Sequence, residues 1–271
     1  MDIKFPFDEC WLINLVERPD RKEYMIKQFE NMGVLDQIKI HQAVKAPEWI
    51  YKIFCDSINE IINIPGDDFK GNMDVPQAIN CWREHYTLIK SAYLRGLNSI
   101  MIIEDDCGFI KDKEILQNHL NNLPKDWCVL KLNCLRGVGT EKYINDYKSQ
   151  YKYWFPQVNT LWGTGCYALS RVGMKYILDY YDVYFSSIDT PIAHQYKYNL
   201  LNDHNKIYNK VTPLDHNVTI YISEVPLGLC HDECSMKSDL HQKIYDEYKN
   251  RKDCIYYLHN YINGIDLNNY Y

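Results

Sequence analysis

Ser99-Ile100-Met101-Ile102-Ile103-Glu104-Asp105-Asp106 sets the reading of this chain. An uninterrupted apolar run, rich in Ile, is the pattern of a strand buried on both faces. It runs directly into three carboxylates. In open α/β sheets, ligands bind outside the carboxyl ends of strands, which is where these acids fall. Adjacent carboxylates repel one another and are best tolerated in water or around a cation. Hard oxygen donors suit Mg²⁺ or Mn²⁺, ions that commonly accompany phosphate-bearing substrates. The tripeptide therefore predicts a metal–nucleotide site at Glu104, Asp105 and Asp106. A solvated acidic turn is the competing reading of the same residues.

Working outward, the preceding segment Gln77–Arg95 has helical period, with Cys81, His85, Leu88, Ile89 and Ala92 on one face and Gly96 as its stop. His85 points toward the sheet, where a core role competes with a ligand role. Nearer the N-terminus, Cys10–Leu15 reads as a buried strand. A helix follows from Pro19 to Met32, with Gly33 closing it. Ile38–Ala43 then reads as a second strand, so the opening is strand–helix–strand and points to a parallel sheet. Arg18 and Arg21 lie just past the first strand and could clamp a diphosphate. Pro47 opens an expected helix to Ile62, followed by a breaker-rich loop over 64–72.

Beyond the acids, a helix is expected over Asp112–Asn122 and a strand over Asp126–Asn133. Residues 135–157 are polar and aromatic without clear period, and read as a long loop flanking an acceptor pocket. Gly163–Leu169 reads as a strand, with Ser170 capping a helix to about Tyr180. Asp189 is placed to cap a short helix to about Leu200, or to act as a base if desolvated. Short strands are expected at 207–208 and 218–222, a loop over 226–234, and helices after Ser238. Cys230, His231 and Cys234 carry a weak zinc signal, because no second ligand pair stands at finger spacing.

The 271 residues carry a formal charge of −6, which argues against a general nucleic-acid binder. No 18-residue apolar run predicts a membrane span. Met1–Glu9 lacks the layout of a secretory signal, so a cytoplasmic protein with reduced thiols is expected, bacterial or made in a virus-infected host. Twenty-four tyrosines offer packing, and some of them could stack on sugars.

Taken together, several of these stretches resemble glycosyltransferase family 25, the lipooligosaccharide and procollagen galactosyltransferase-like family. The resemblance spans about residues 10–240. It is carried by Ile13-Asn14-Leu15 with Arg18 and Arg21, by Asn80-Cys81 and Glu84-His85 ahead of Glu104-Asp105-Asp106, and by Gly163 to Ser170 with Tyr167. Asp189 and the looser Pro226, His231 and Ser238 complete it. Asn80 and Glu84 stand where the family usually has Gly and Ser. The resemblance implies a GT-A-like α/β sandwich in one domain over 1–271, with a mostly parallel twisted sheet flanked by helices. Residues 8–125 would form the nucleotide-sugar half, 126–240 the acceptor side and 241–271 C-terminal helices.

It also implies an inverting, metal-dependent transfer of galactose or glucose from a UDP-sugar to a hydroxyl of a glycan or glycoprotein. Mn²⁺ or Mg²⁺ would be held by Glu104, Asp106 and His231. Asn14, Arg18, Arg21, His85 and Asp105 would bind the nucleotide-sugar, and Asp189 would be the base. A metal-dependent phosphohydrolase and a non-catalytic nucleotide-sugar binder are the competing readings.

Overall fold

The computed structural model describes residues 3–45, 75–133, 138–157, 163–181, 188, 190–193 and 218–230. The expected segments at 47–62, 64–72, 207–208 and beyond Cys230 lie outside the described residues, as do Asp189 and His231.

Strand β3 (Ser99–Glu104) is the centre of the fold. Side chains alternate faces along a strand. Ile100 and Ile102 accordingly join one apolar cluster, and Met101 and Ile103 join the other. All four are fully buried, which is why the sequence shows no polar alternation there. Strand β1 (Glu9–Leu15) lies beside it in parallel, and β2 (Ile38–Ala43) lies parallel to β1 on the outer side.

Helix α1 (Pro19–Met32) crosses from β1 to β2 and buries Arg21, Met25, Phe29 and Met32, a single stripe at helical spacing. It ends at Gly33, whose φ of 74° is left-handed; its N–H bonds back to Glu30 O at 3.0 Å. Helix α2 (Val75–Leu94) covers the opposite face, placing Leu88, Ile89 and Ala92 against Ile100 and Ile102. Helices α1 and α2 thus lie on opposite faces of the sheet; the chain runs outward from β1 to β2 but from β3 toward the far strands, so the boundary between β1 and β3 is a topological switch point.

After a two-residue turn past β3 comes strand β4 (Cys107–Phe109), followed by α3 (Lys113–Asn121). Asp112 caps α3, accepting from the N–H groups of Glu114 and Ile115 at 3.0 Å. Strand β5 (Val129–Lys131) is shorter than the expected Asp126–Asn133. The stretch 135–157 is not one long loop: it holds helix α4 (Val138–Tyr147) and strand β6 (Trp154–Pro156). Aromatic pairing supplies the order that apolar periodicity did not announce. Tyr143 meets Tyr147 one turn on at 5.0 Å, and Phe155 lies beneath Tyr143 and Tyr151.

Strand β7 (Cys166–Ser170) leads into α5 (Arg171–Tyr181), where Ser170 Oγ accepts from the N–H of Gly173 at 3.2 Å, the expected cap. A short helix α6 (Thr190–Ala193), strand β8 (Ile220–Ser223) and strand β9 (Gly228–Cys230) complete the described chain. Part of the expected 226–234 loop is thus a strand.

The seven-stranded sheet has the order β2-β1-β3-β7-β5-β8-β6. Strands β7 and β6 run against the other five, so the α/β class holds while the sheet is mixed. This polarity gathers the carboxyl ends of β1, β3, β5 and β8 at one edge, together with the start of β7. A second, two-stranded sheet pairs β4 with β9 antiparallel, with Cys107 opposite Cys230. Among the described residues, no helix is long and apolar enough to cross a membrane.

Candidate active site

The acids lie where the sequence put them. Glu104 ends β3, and Asp105 and Asp106 form the turn into β4 at the carboxyl edge of the sheet. Their three side chains meet three different surroundings.

Asp105 faces β1 and α1. Its Oδ2 accepts from Asn14 Nδ2 at 2.7 Å and from the Leu15 N–H at 3.3 Å, and its Oδ1 accepts from Arg21 Nη1 at 3.1 Å. Arg21 reaches it because Arg21 stands one turn before Met25 on the buried stripe of α1. The Arg21 and Asp105 side chains are only 5% and 8% exposed. Burial raises the Asp105 carboxyl above its ordinary range, and the Arg21 charge and the Asn14 amide offset this only in part. Asn14 also donates to Arg18 O at 2.9 Å, closing the β1–α1 turn. Arg18 forks onto Asp20 at 3.0 and 2.9 Å in the first turn of α1, and holds that carboxyl down at about 2.

Glu104 faces α2 and the approach to β7. Thr164 Oγ1 donates to its Oε1 at 2.9 Å, and His85 Nε2 lies 3.1 Å from the same oxygen. The Glu104 N–H bonds to Gly165 O at 2.7 Å. His85 is stacked on Tyr167, with ring centroids 5.7 Å apart, and its Nδ1 lies 2.8 Å from the Tyr167 hydroxyl. Glu84, the neighbour of His85, turns away toward His41 on β2, 2.5 Å off, and Arg83. Burial opposes its charge, but His41 and Arg83 together hold the carboxyl below its usual range.

Asp106 is partly buried, in the turn between Glu104 and β4. Its carboxyl is pushed up to about 7, first by desolvation and then by the negative charge of Glu104. Arg21 compensates only in part, because Asp105 already engages it. A carboxylate in this setting favours a proton or a cation. The oxygen donors of Glu104 and Asp106 fit a hard divalent ion.

The sequence placed Cys81 on the inward face of its helix without a site role, and did not single out Thr164 or Lys131. Lys131 is fully buried on β5, opposite Tyr167. A charged residue inside an apolar run was the available signal. Strand β9 also packs tightly against the acid turn. A Cβ at Gly228 would stand 3.1 Å from Cys107 Sγ and 3.2 Å from Cys166 Cβ, so only glycine fits without movement. Cys230 of β9 pairs with Cys107, the residue that follows Asp106.

The sequence profile of a family described as "Glycosyltransferase family 25 (LPS biosynthesis protein)" matches residues 7–192. Procollagen galactosyltransferase 1 of Danio rerio is 32% identical over 133 residues, covering 46% of this chain and 21% of that protein. Human procollagen galactosyltransferase 2 is 27% identical over 166 residues, covering 56% of this chain and 25% of that protein. A human protein named inactive glycosyltransferase 25 family member 3 is 28% identical over 108 residues, covering 39% of this chain and 18% of that protein. The matched part is thus a quarter or less of each of these relatives. With the profile match taking in every described element from β1 to α5, the chain belongs to glycosyltransferase family 25.

Proposed function

We propose that this protein is an inverting hexosyltransferase that moves galactose or glucose from a UDP-sugar to a hydroxyl of a glycan or glycoprotein. The observation that carries the reading is the Asp106 carboxyl, under-compensated at the switch-point edge of the sheet beside Glu104. Asp106 and Glu104 would hold Mn²⁺ or Mg²⁺, with His231 as a third ligand. Once bound, such an ion offsets the charge that builds on the leaving diphosphate.

The chain's own residues set the geometry. Asn14 and Arg21 fix Asp105, which fixes the acid turn against β1. Arg18, at the open end of the same turn, offers a cation to the nucleotide. Thr164 holds Glu104 by a hydrogen bond, and His85 lies 3.1 Å from the same oxygen. Asp189 takes the proton of the acceptor hydroxyl on the face opposite the leaving group.

One specific observation favours a second reading, a nucleotide-sugar binder without turnover: a matched relative is named inactive. Release of UDP from a panel of UDP-sugars, with Mn²⁺ or with chelator, separates the two. The transferase releases UDP from one sugar, only with the ion and only with Asp106 intact. A silent binder shows calorimetric UDP-sugar binding without release, even when acceptor hydroxyls are supplied. Absence of both overturns the site.

A further inference from the structure

Behind the acid turn, between α2 and the start of β7, a different donor set converges. Cys81 Sγ, a His85 ring nitrogen and a Glu104 carboxylate oxygen all lie within 4.8 Å of one another. Cys81 and His85 are four residues apart on α2, so they share one helix face, one turn apart. Cys81 is a reduced thiol. His85 is 1% exposed, and its Nε2 has no hydrogen-bond partner even though Glu104 Oε1 is 3.1 Å away. The other ring nitrogen is fixed by the Tyr167 hydroxyl at 2.8 Å. This is the outer-shell arrangement that orients a metal-binding imidazole. A buried ring nitrogen that makes no hydrogen bond, 3.1 Å from a carboxylate oxygen and beside a thiol, is satisfied by a cation seated among the three.

We propose that Cys81, His85 and Glu104 form a binding site for a zinc-class divalent ion, separate from the Asp106 site and sharing only Glu104 with it. One sulfur, one nitrogen and one oxygen are the donors that zinc or cobalt takes; Mg²⁺ and Mn²⁺ favour all-oxygen sets. Three protein ligands leave a fourth tetrahedral position for water. The proposal stands on these three residues and does not depend on the transferase reading.

The test is Co²⁺ titration of the chelator-stripped full chain, followed by Zn²⁺ competition. One equivalent of Co²⁺ is expected to give a thiolate-to-cobalt charge-transfer band and the strong visible bands of a tetrahedral ion, both erased by Zn²⁺. Cys81→Ser and Cys81→Ala lose the charge-transfer band and bind at least tenfold more weakly. Tyr167→Phe keeps the band and binds about 10–100-fold more weakly. Asp106→Ala keeps the band, even if donor turnover is lost, so failure here and failure of the transferase reading are distinguishable. X-ray absorption of the zinc-loaded wild-type chain, which needs no variant to fold, is expected to show one sulfur at about 2.3 Å and nitrogen or oxygen at about 2.0 Å. An all-oxygen shell, a charge-transfer band unchanged in both Cys81 variants, or loss of the band in Asp106→Ala overturns the proposal.

Discussion

On the β1 side of the acid turn, Asp105 has both oxygens engaged by Asn14, the Leu15 N–H and Arg21. One residue further on, Asp106 shares that Arg21 charge only at second hand and feels Glu104 as a nearby negative neighbour. Both carboxyls are raised by burial; Arg21, Asn14 and the Leu15 N–H oppose the rise at Asp105, whereas Glu104 adds to it at Asp106, which is pushed up to about 7. Two aspartates adjacent in sequence thus do different work. Asp105 ties the acid turn to β1 and α1, while the charge of Asp106 is left under-compensated. Chemistry at a strand end needs both, a rigid anchor and a group left under-compensated.

The largest expected effect falls on Asp106. Asp106→Ala is expected to lower Mn²⁺-dependent UDP release by about 100-fold or more, the scale seen when a group stabilising transition-state charge is removed. Above about pH 7 in chelator, its circular-dichroism melt should stay at or above wild type, because an under-compensated charge is gone. Arg21→Ala reverses the pattern. It strips the partner from a buried carboxylate and should destabilise the fold by about 3–5 kcal/mol in urea titration. If Arg21→Ala leaves stability unchanged, Asp105 is not the anchor described here. Asn14→Ala removes one hydrogen bond to the same carboxylate and is expected to cost about 1–3 kcal/mol. Asp112→Ala, far from the turn, loses only the cap of α3 and should cost about 1 kcal/mol with UDP release unaffected.

The pH dependence sharpens the same contrast. A carboxyl raised to about 7 in the folded protein holds its proton more tightly there than in the unfolded chain. Its contribution to the metal-free fold is therefore favourable below the ordinary aspartate range and is lost as pH rises through about 7. A cation must displace that proton, so Mn²⁺ affinity should fall as pH drops below about 7 and level off above it. Asp106→Asn flattens both profiles, as stability measured in chelator and Mn²⁺ titration by calorimetry would each show.

The sequence carried the first half of this molecule more clearly than the second, for a physical reason. Strands buried on both faces, such as β3, must be apolar throughout, and α1 announces itself by Pro19 and Gly33 at its ends. Helix α4 and strand β6 are held by tyrosines, tryptophan and a single small cluster around Phe155, so their pattern is aromatic and local. Strand β9 is three residues long and rests on a glycine pressed against Cys107 and Cys166, a tertiary fit that no local propensity reports. At the site, the types and positions of Asn14, Arg21, His85 and the three acids were legible. Their division of labour was not, because it depends on which way each side chain leaves the β3 turn. The hydrogen bond from Thr164 and the nearness of Cys81 to Glu104 became visible only when β7 and α2 were seen on either side of that residue.

The central claim is that the acid turn receives a cation and a nucleotide together, through Asp106. Calorimetric titration of UDP into the chain, with and without saturating Mn²⁺, tests it most directly when wild type and Asp106→Asn are run side by side. The account predicts that Mn²⁺ tightens UDP binding to wild type at least tenfold and leaves UDP binding to Asp106→Asn unchanged. An equal Mn²⁺ effect in both proteins, or none in wild type, would contradict it.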